Sequence, residues 1–281
     1  MGKKSRLKNR ATKRERMPFV ARTFEGLPGE VDWIALREFV SSATATVRLK
    51  DGTQVQICSL LPGGGAGLVR PDGSIWIGLQ VPHNHGDISR DLAHAIALAQ
   101  ELEPGTPVTM TDPGVGPRLQ DVLDLSAPFE VTVHDGFDYW LADIDSDESA
   151  EALLADANES IGPSAKLDSV QSAYWTEMGH ERFLRWVMDH DDTALLDALA
   201  RLQAAGDDKL IDDSELIGHF RAHGLLVPVW RISVEASELE APAAAFAERL
   251  TAALALDTPL TQQERSARQN IISRQVAVST A

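Results

Sequence analysis

The sequence predicts an α+β fold, with antiparallel β-hairpins and packed helices in the N-terminal half and a mainly helical C-terminal half holding one edge strand. Three observations point there: Asp-Gly pairs set between apolar-rich runs, a change near residue 146 to Ala, Leu and acidic residues at helical spacing, and a basic opening segment with no apolar pattern. Asp-Gly favours hairpins because Gly takes the positive φ that tight turns require. The expected division is a basic disordered tail over residues 1–22, an α+β domain over 23–145, and a mainly helical region over 146–281 that can belong to the same fold.

In chain order, "GEVDWIALREFV" reads as a short helix with Asp32 as its cap. "ATVRLKDGTQVQICSLL", "GLVRPDGSIWIGLQV" and "FEVTVHDGFDYWLAD" each set an Asp-Gly pair between apolar runs and read as three hairpins. Between the second and third, "DISRDLAHAIALAQELEPG" places Ile88, Leu92, Ile96 and Ala99 on one side and stops at Pro104-Gly105, the pattern of an amphipathic helix lying on a sheet. "SDESAEALLADANESIGP" is the next helix, with Gly162-Pro163 as its stop. "GHERFLRWVMDHDDTALLDALARLQAAG" reads as two consecutive helices and "SELIGHFRAHG" as another. "LLVPVWRISVE" is β-branched and aromatic, and Pro228 places it at a sheet edge. Two helical patterns close the chain, "APAAAFAERLTAALAL" and "TQQERSARQNIISRQV".

Charge is divided unevenly. Residues 1–22 carry nine Lys or Arg against Glu15 alone, a net charge of plus 8, while the other 259 residues carry 17 basic and 41 acidic side chains, or minus 24. A body that negative repels DNA, RNA and anionic lipid, so any polyanion contact goes through the tail. Lys3, Lys4, Arg6, Lys8, Arg10, Lys13, Arg14 and Arg16 are the expected nucleic-acid-binding residues. The apolar residues among them, Leu7, Ala11 and Met17, form no stripe able to insert into lipid. The only cysteine is Cys58, which excludes an intramolecular disulfide, and there is no secretory signal pattern or stretch of about 20 apolar residues. A cytoplasmic protein without a membrane span is expected.

No motif for catalysis is complete. "VPHNHGDISRD" holds His83, His85 and Asp87, part of the His-x-His-x-Asp-His run of metallo-β-lactamase-like hydrolases, but Ile88 stands where the last His belongs. A polar loop with Asp87 or Ser89 capping a helix is the simpler account. His219 and His223, four apart, would share one side of a helix but lack a third ligand. His180-Glu181 lacks the second His of a zincin. Asp143, Asp145 and Asp147 match the first EF-hand positions, yet Glu148 and Leu154 replace the Gly and the bidentate Glu. "LLPGGGAGLVRP" has no Lys-Ser/Thr and no following helix to cradle a phosphate, and "TDPGVGP", which spells the Asp-x-Gly-x-Gly of GHKL-type ATPases around Asp112, has no preceding Glu-x-x-x-Asn helix. Cys58 lies inside an expected strand, where a small buried side chain is its usual role. No catalytic residue, metal or cofactor is expected.

Four stretches together, "GKKSRLKNRATKRERMPFVARTFEGLPGEVDWIALREFV", "FLRWVMDHDDTALLDALARLQAAG", "GHFRAHGLLVPVWRI" and "SARQNIISRQVAV", resemble an uncharacterised actinobacterial family, a domain of unknown function, over essentially the whole chain. That resemblance implies no assigned activity and brings no catalytic residues. The expected function is therefore that of a non-enzymatic binding protein, associated with RNA, the ribosome or DNA through its tail, with the acidic body offering a protein-interaction surface. The alternatives are a metal-dependent hydrolase or small-molecule-binding protein using the loop from His83 to Asp91, and an adaptor for an acidic or basic protein partner.

Overall fold

The computed structural model describes residues 19–82, 84–142 and 148–276. Lys3, Lys4, Arg6, Lys8, Arg10, Lys13, Arg14 and Arg16, as well as His83, Asp143, Asp145 and Asp147, lie outside the described residues.

The first helix, α1 (Glu30–Glu38), starts from Gly29 in the left-handed conformation and not from Asp32, which sits inside the helix and is buried. Strands β1 (Ala43–Arg48) and β2 (Gln54–Cys58) pair antiparallel across Asp51-Gly52, and β3 (Gly67–Val69) and β4 (Ile75–Gly78) across Asp72-Gly73. The two turns use one device: Gly52 and Gly73 take φ of 93° and 84°, and the preceding Asp side chain accepts from the backbone N–H two residues on, at 2.9 Å in both. Helix α2 (Ile88–Gln100) packs on β3 and β4, capped by Asp87. A short helix α3 (Leu119–Val122) follows, then β5 (Val131–Val133), which pairs with β1. The sheet order is β3-β4-β2-β1-β5, with β2 and β4 parallel.

The third Asp-Gly pair does not make a hairpin. Gly136 has no positive φ, and the chain after β5 coils into a 3₁₀ turn over Asp138–Trp140. Long-range bonds explain the difference: buried Arg70 donates to the carbonyls of Tyr139, Trp140 and Ala142 at the end of that turn, and Trp140 Nε1 donates to Leu60 O at 3.2 Å. With its carbonyls satisfied by a side chain, this segment needs no partner strand.

The second half holds more β-structure than expected. After α4 (Glu148–Ser160) come β6 (Ser164–Lys166), β7 (Ala173–Met178), β8 (Glu181–Trp186), α5 (Asp192–Ala205), β9 (Glu215–Ala222), β10 (Leu225–Ile232), α6 (Glu240–Leu254) and α7 (Gln262–Ser273). The five strands form an antiparallel sheet in the order β6-β7-β8-β10-β9. "ERFLRW" is thus β8 and not a helix, and "ELIGHFRA" is β9. Burial in them does not alternate, with Leu184, Arg185 and Trp186 buried in succession in β8 and Gly218, His219 and Phe220 in β9, which blurs the period of 2 that marks a half-exposed strand. The β9–β10 turn is closed by His223 and Gly224 with φ of 48° and 90°, the two left-handed residues a tight hairpin requires. Strand β10 is interior, not an edge. Pro228 is tolerated because continuous pairing with β8 begins at Val229 and resumes only as a bridge between Leu226 and Met188, so the missing N–H falls in the interruption.

These elements stack in layers. Helix α1 lies between the sheets and shares one core with β1, β2 and the inward face of β7, β9 and β10. Trp33, 1% exposed, stacks on Phe129 at 4.3 Å, and Phe39 meets Tyr174 and Phe220 edge-on at 6.0 Å each. The opposite face of the second sheet carries a second core under α5, α6 and α7, centred on Trp186, Trp230 and Phe246. A polar link crosses between the halves: Asp32 accepts from Tyr174 Oη at 2.7 Å and from Lys166 Nζ at 3.0 Å.

Candidate functional site

The loop before α2 is a neutralised structural cluster. Asp87 is fully buried and accepts from Arg118 Nε at 2.8 Å, lies 3.3 Å from Arg90 Nη2, and caps Ser89 N at 3.2 Å. His85 is bound through its N–H and its ring to Asp91. A divalent cation at Asp87 would face two guanidinium groups and a helix N-terminus, so the residues present do not fit the hydrolase site. Arg118 and Gln120 also donate to Thr23 O, at 2.7 and 3.1 Å, fastening the start of the folded body to α2 and α3.

The remaining sequence candidates separate. His219 is buried in β9, where burial lowers its pKa, while His223 sits in the β9–β10 turn and bonds Glu38 at 2.9 Å. The shared helical face expected for them does not exist because the segment is a strand and turn. His180 and Glu181 lie at the β7–β8 turn, and Asp112 closes a loop on Gly114 N. Burial pushes the Cys58 thiol far above its ordinary range, which removes it as a nucleophile at neutral pH. Among the described residues, no three His, Cys, Asp or Glu side chains gather in a metal-binding group.

Two features stand outside this neutralised framework. The first is the root of the tail. Arg22 donates from Nε and Nη2 to the two carboxylate oxygens of Glu30, the second at 2.9 Å, and also reaches Asp189; the hydrogen bond to Glu30 raises its pKa further. Beside it Gly224 leaves room for the backbone of Ala21 and Arg22, where a Cβ would lie 2.9 Å from Ala21 O. Phe24 is fully buried between Trp33 and His223, whereas Phe19 is 86% exposed. Arg22 is therefore fastened to Glu30 and Asp189, with the backbone of Ala21 packed at Gly224.

The second is a cavity of about 380 Å³ where the two sheets and the α4–β6 connection meet. Phe39, Leu60, Gln80 and Phe137 reach it from the first half, Ile161 and Pro163 from the connection, and Thr176, Met178 and Arg185 from β7 and β8. Gln80 is fixed by donating to the carbonyls of Leu36 and Val40 at 2.8 Å each, the end of α1. Arg185 is 6% exposed, and its guanidinium lies over Phe39 at 5.5 Å and Phe183 at 6.0 Å. Its polar contact is the thioether of Met178 at 2.6 Å, and among the described residues no carboxylate pairs with it. Burial brings its pKa down to about 10, so it is still a cation at neutral pH. Thr176, 3% exposed, has a buried hydroxyl without a hydrogen-bond partner.

A model for a family of unknown function, DUF5926, covers residues 23–279. The chain belongs to that family. Searches of curated proteins and of solved structures return no match. For this DUF5926 chain, the matched residues span both sheets, the Asp87 cluster and the cavity, and they begin one position after Arg22. Among the described residues, no helix of the DUF5926 chain is long and apolar enough to cross a membrane.

Arg185 is absent from the sequence-based candidates. The signal that could have marked it is its phase in "ERFLRW": Leu184 and Trp186 face the helical core, so Arg185 falls on the other face, and that face is also buried.

Proposed function

We propose that this protein is a non-enzymatic binding protein that docks to nucleic acid, free or within the ribosome, through Lys3, Lys4, Arg6, Lys8, Arg10, Lys13, Arg14 and Arg16. The observation that carries this reading is the division of charge, plus 8 in residues 1–22 against minus 24 in the rest. An acidic body is repelled by a polyanion unless a tether spans the gap, and the roughly 20 residues before Arg22 would reach about 70 Å if extended. The anchoring of Arg22 to Glu30 and Asp189 supports the reading, because it gives such a tether a fixed root.

The test is filter binding of the full chain to RNA and to duplex DNA at two salt concentrations. A tail covering about five phosphates loses on the order of 10² to 10³ in affinity between 50 and 200 mM salt, with little sequence preference. Replacing the eight cations by Gln, with Arg22 kept, abolishes the binding. Undiminished binding by that variant contradicts the proposal.

A further inference from the structure

We propose that the cavity between the two sheets binds a small organic monocarboxylate with an apolar body, its carboxylate held by Arg185 and Thr176. This goes beyond docking by the tail and does not depend on it.

Two residues whose polar groups lack a satisfying protein partner lie at the wall of one cavity. Arg185 is paired across the β7–β8 ladder with Tyr174, and Thr176 is two residues along the same strand face, so the two side chains are diagonal neighbours. Both line the cavity. A guanidinium offers parallel N–H donors and a hydroxyl a third, and a carboxylate accepts all three. The Thr176 hydroxyl is dry and unpaired and the Arg185 guanidinium has no anionic partner, and a ligand that completes them recovers part of that cost on binding.

The lining sets the rest of the ligand. Phe39, Leu60, Phe137 and Met178 present rings, an aliphatic side chain and a thioether, suited to an apolar body, and about 380 Å³ lies in the range of small-molecule sites. The charge count favours a single negative charge. Arg185 is the one cation among the lining residues; Glu177 on the rim is held by Arg182 at 2.9 Å and does not reach Arg185. A phosphate dianion would keep excess charge beside Glu177 in a body of net minus 24.

The full chain is titrated in a calorimeter at pH 7 with 3-phenylpropanoate, 3-phenylpropanamide and inorganic phosphate. The carboxylate is expected to bind saturably, the isosteric amide at least about tenfold more weakly, and phosphate not measurably. Arg185→Met should lose at least about tenfold in affinity for the carboxylate while still melting cooperatively, and Thr176→Val should bind several-fold more weakly. No saturable binding of 3-phenylpropanoate below about 10 mM overturns the proposal, as does phosphate binding as tightly as the carboxylate. Unchanged affinity in Arg185→Met overturns it too; should that variant not fold, unchanged affinity in Thr176→Val does so.

Discussion

Arg90 and Arg185 are buried to the same degree, 6% exposed each, and the fold treats them in opposite ways. Arg90 shares Asp87 with Arg118 and donates to Gly116 O, so its charge is neutralised within a cluster that ties α2, α3 and the segment at Thr23 together. Arg185 touches two aromatic rings and a thioether at the wall of a cavity. A buried charge that is paired holds a structure in register, whereas one left unpaired weakens it. Only the first arginine is accounted for by folding.

Substitutions that break the paired side of this contrast should cost most. Asp87→Ala strands two guanidinium groups and uncaps α2, and is expected to destabilise the protein by about 3 to 5 kcal/mol in urea unfolding. Asp32→Ala removes the acceptor for Tyr174 and Lys166 between the halves; the same measurement should find a loss of about 2 to 3 kcal/mol.

A smaller effect is expected at Glu38. Burial alone would raise its pKa, but the hydrogen bond and charge of His223, with Arg37 nearby, hold it below the ordinary glutamate range. Its contribution to stability is present above that range and is lost as pH falls through the depressed value. The gap between wild type and Glu38→Gln in urea unfolding should therefore shrink progressively as pH falls below about 4.5. The smallest effect is reserved for the surface: Arg231, half exposed, pairs with Glu215 and Glu181, and Arg231→Ala should leave the urea midpoint essentially unchanged.

What the sequence made legible follows from how local each device is. The turns at Asp51-Gly52 and Asp72-Gly73, helix α2 with Asp87 as its cap, and helices α4 to α7 rest on residues within a few positions of one another, and they appear where expected. The failures depend on distant partners. Asp135-Gly136 lost its hairpin to Arg70, some 70 residues away, and β8 and β9 lost their alternation where consecutive residues on both faces are buried, Leu184 to Trp186 and Gly218 to Phe220. Pro228 misled for a similar reason, since an interruption in pairing with β8 accommodates what normally marks an edge. The cavity could not be read at all, because it gathers Phe39, Leu60, Phe137, Thr176 and Arg185 from five separate segments. The basic segment was visible in composition alone, and the structure adds that its last cation, Arg22, bonds Glu30.

The contrast between the two arginines is tested most directly by urea unfolding of Arg185→Met at pH 7 without added carboxylate. Met keeps the apolar contacts with Phe39 and Phe183 and removes the unpaired charge. The account predicts a higher midpoint than wild type, with a gain on the order of 1 kcal/mol. A lower midpoint would contradict it, because Arg185 would then be contributing to the fold and not waiting for a ligand.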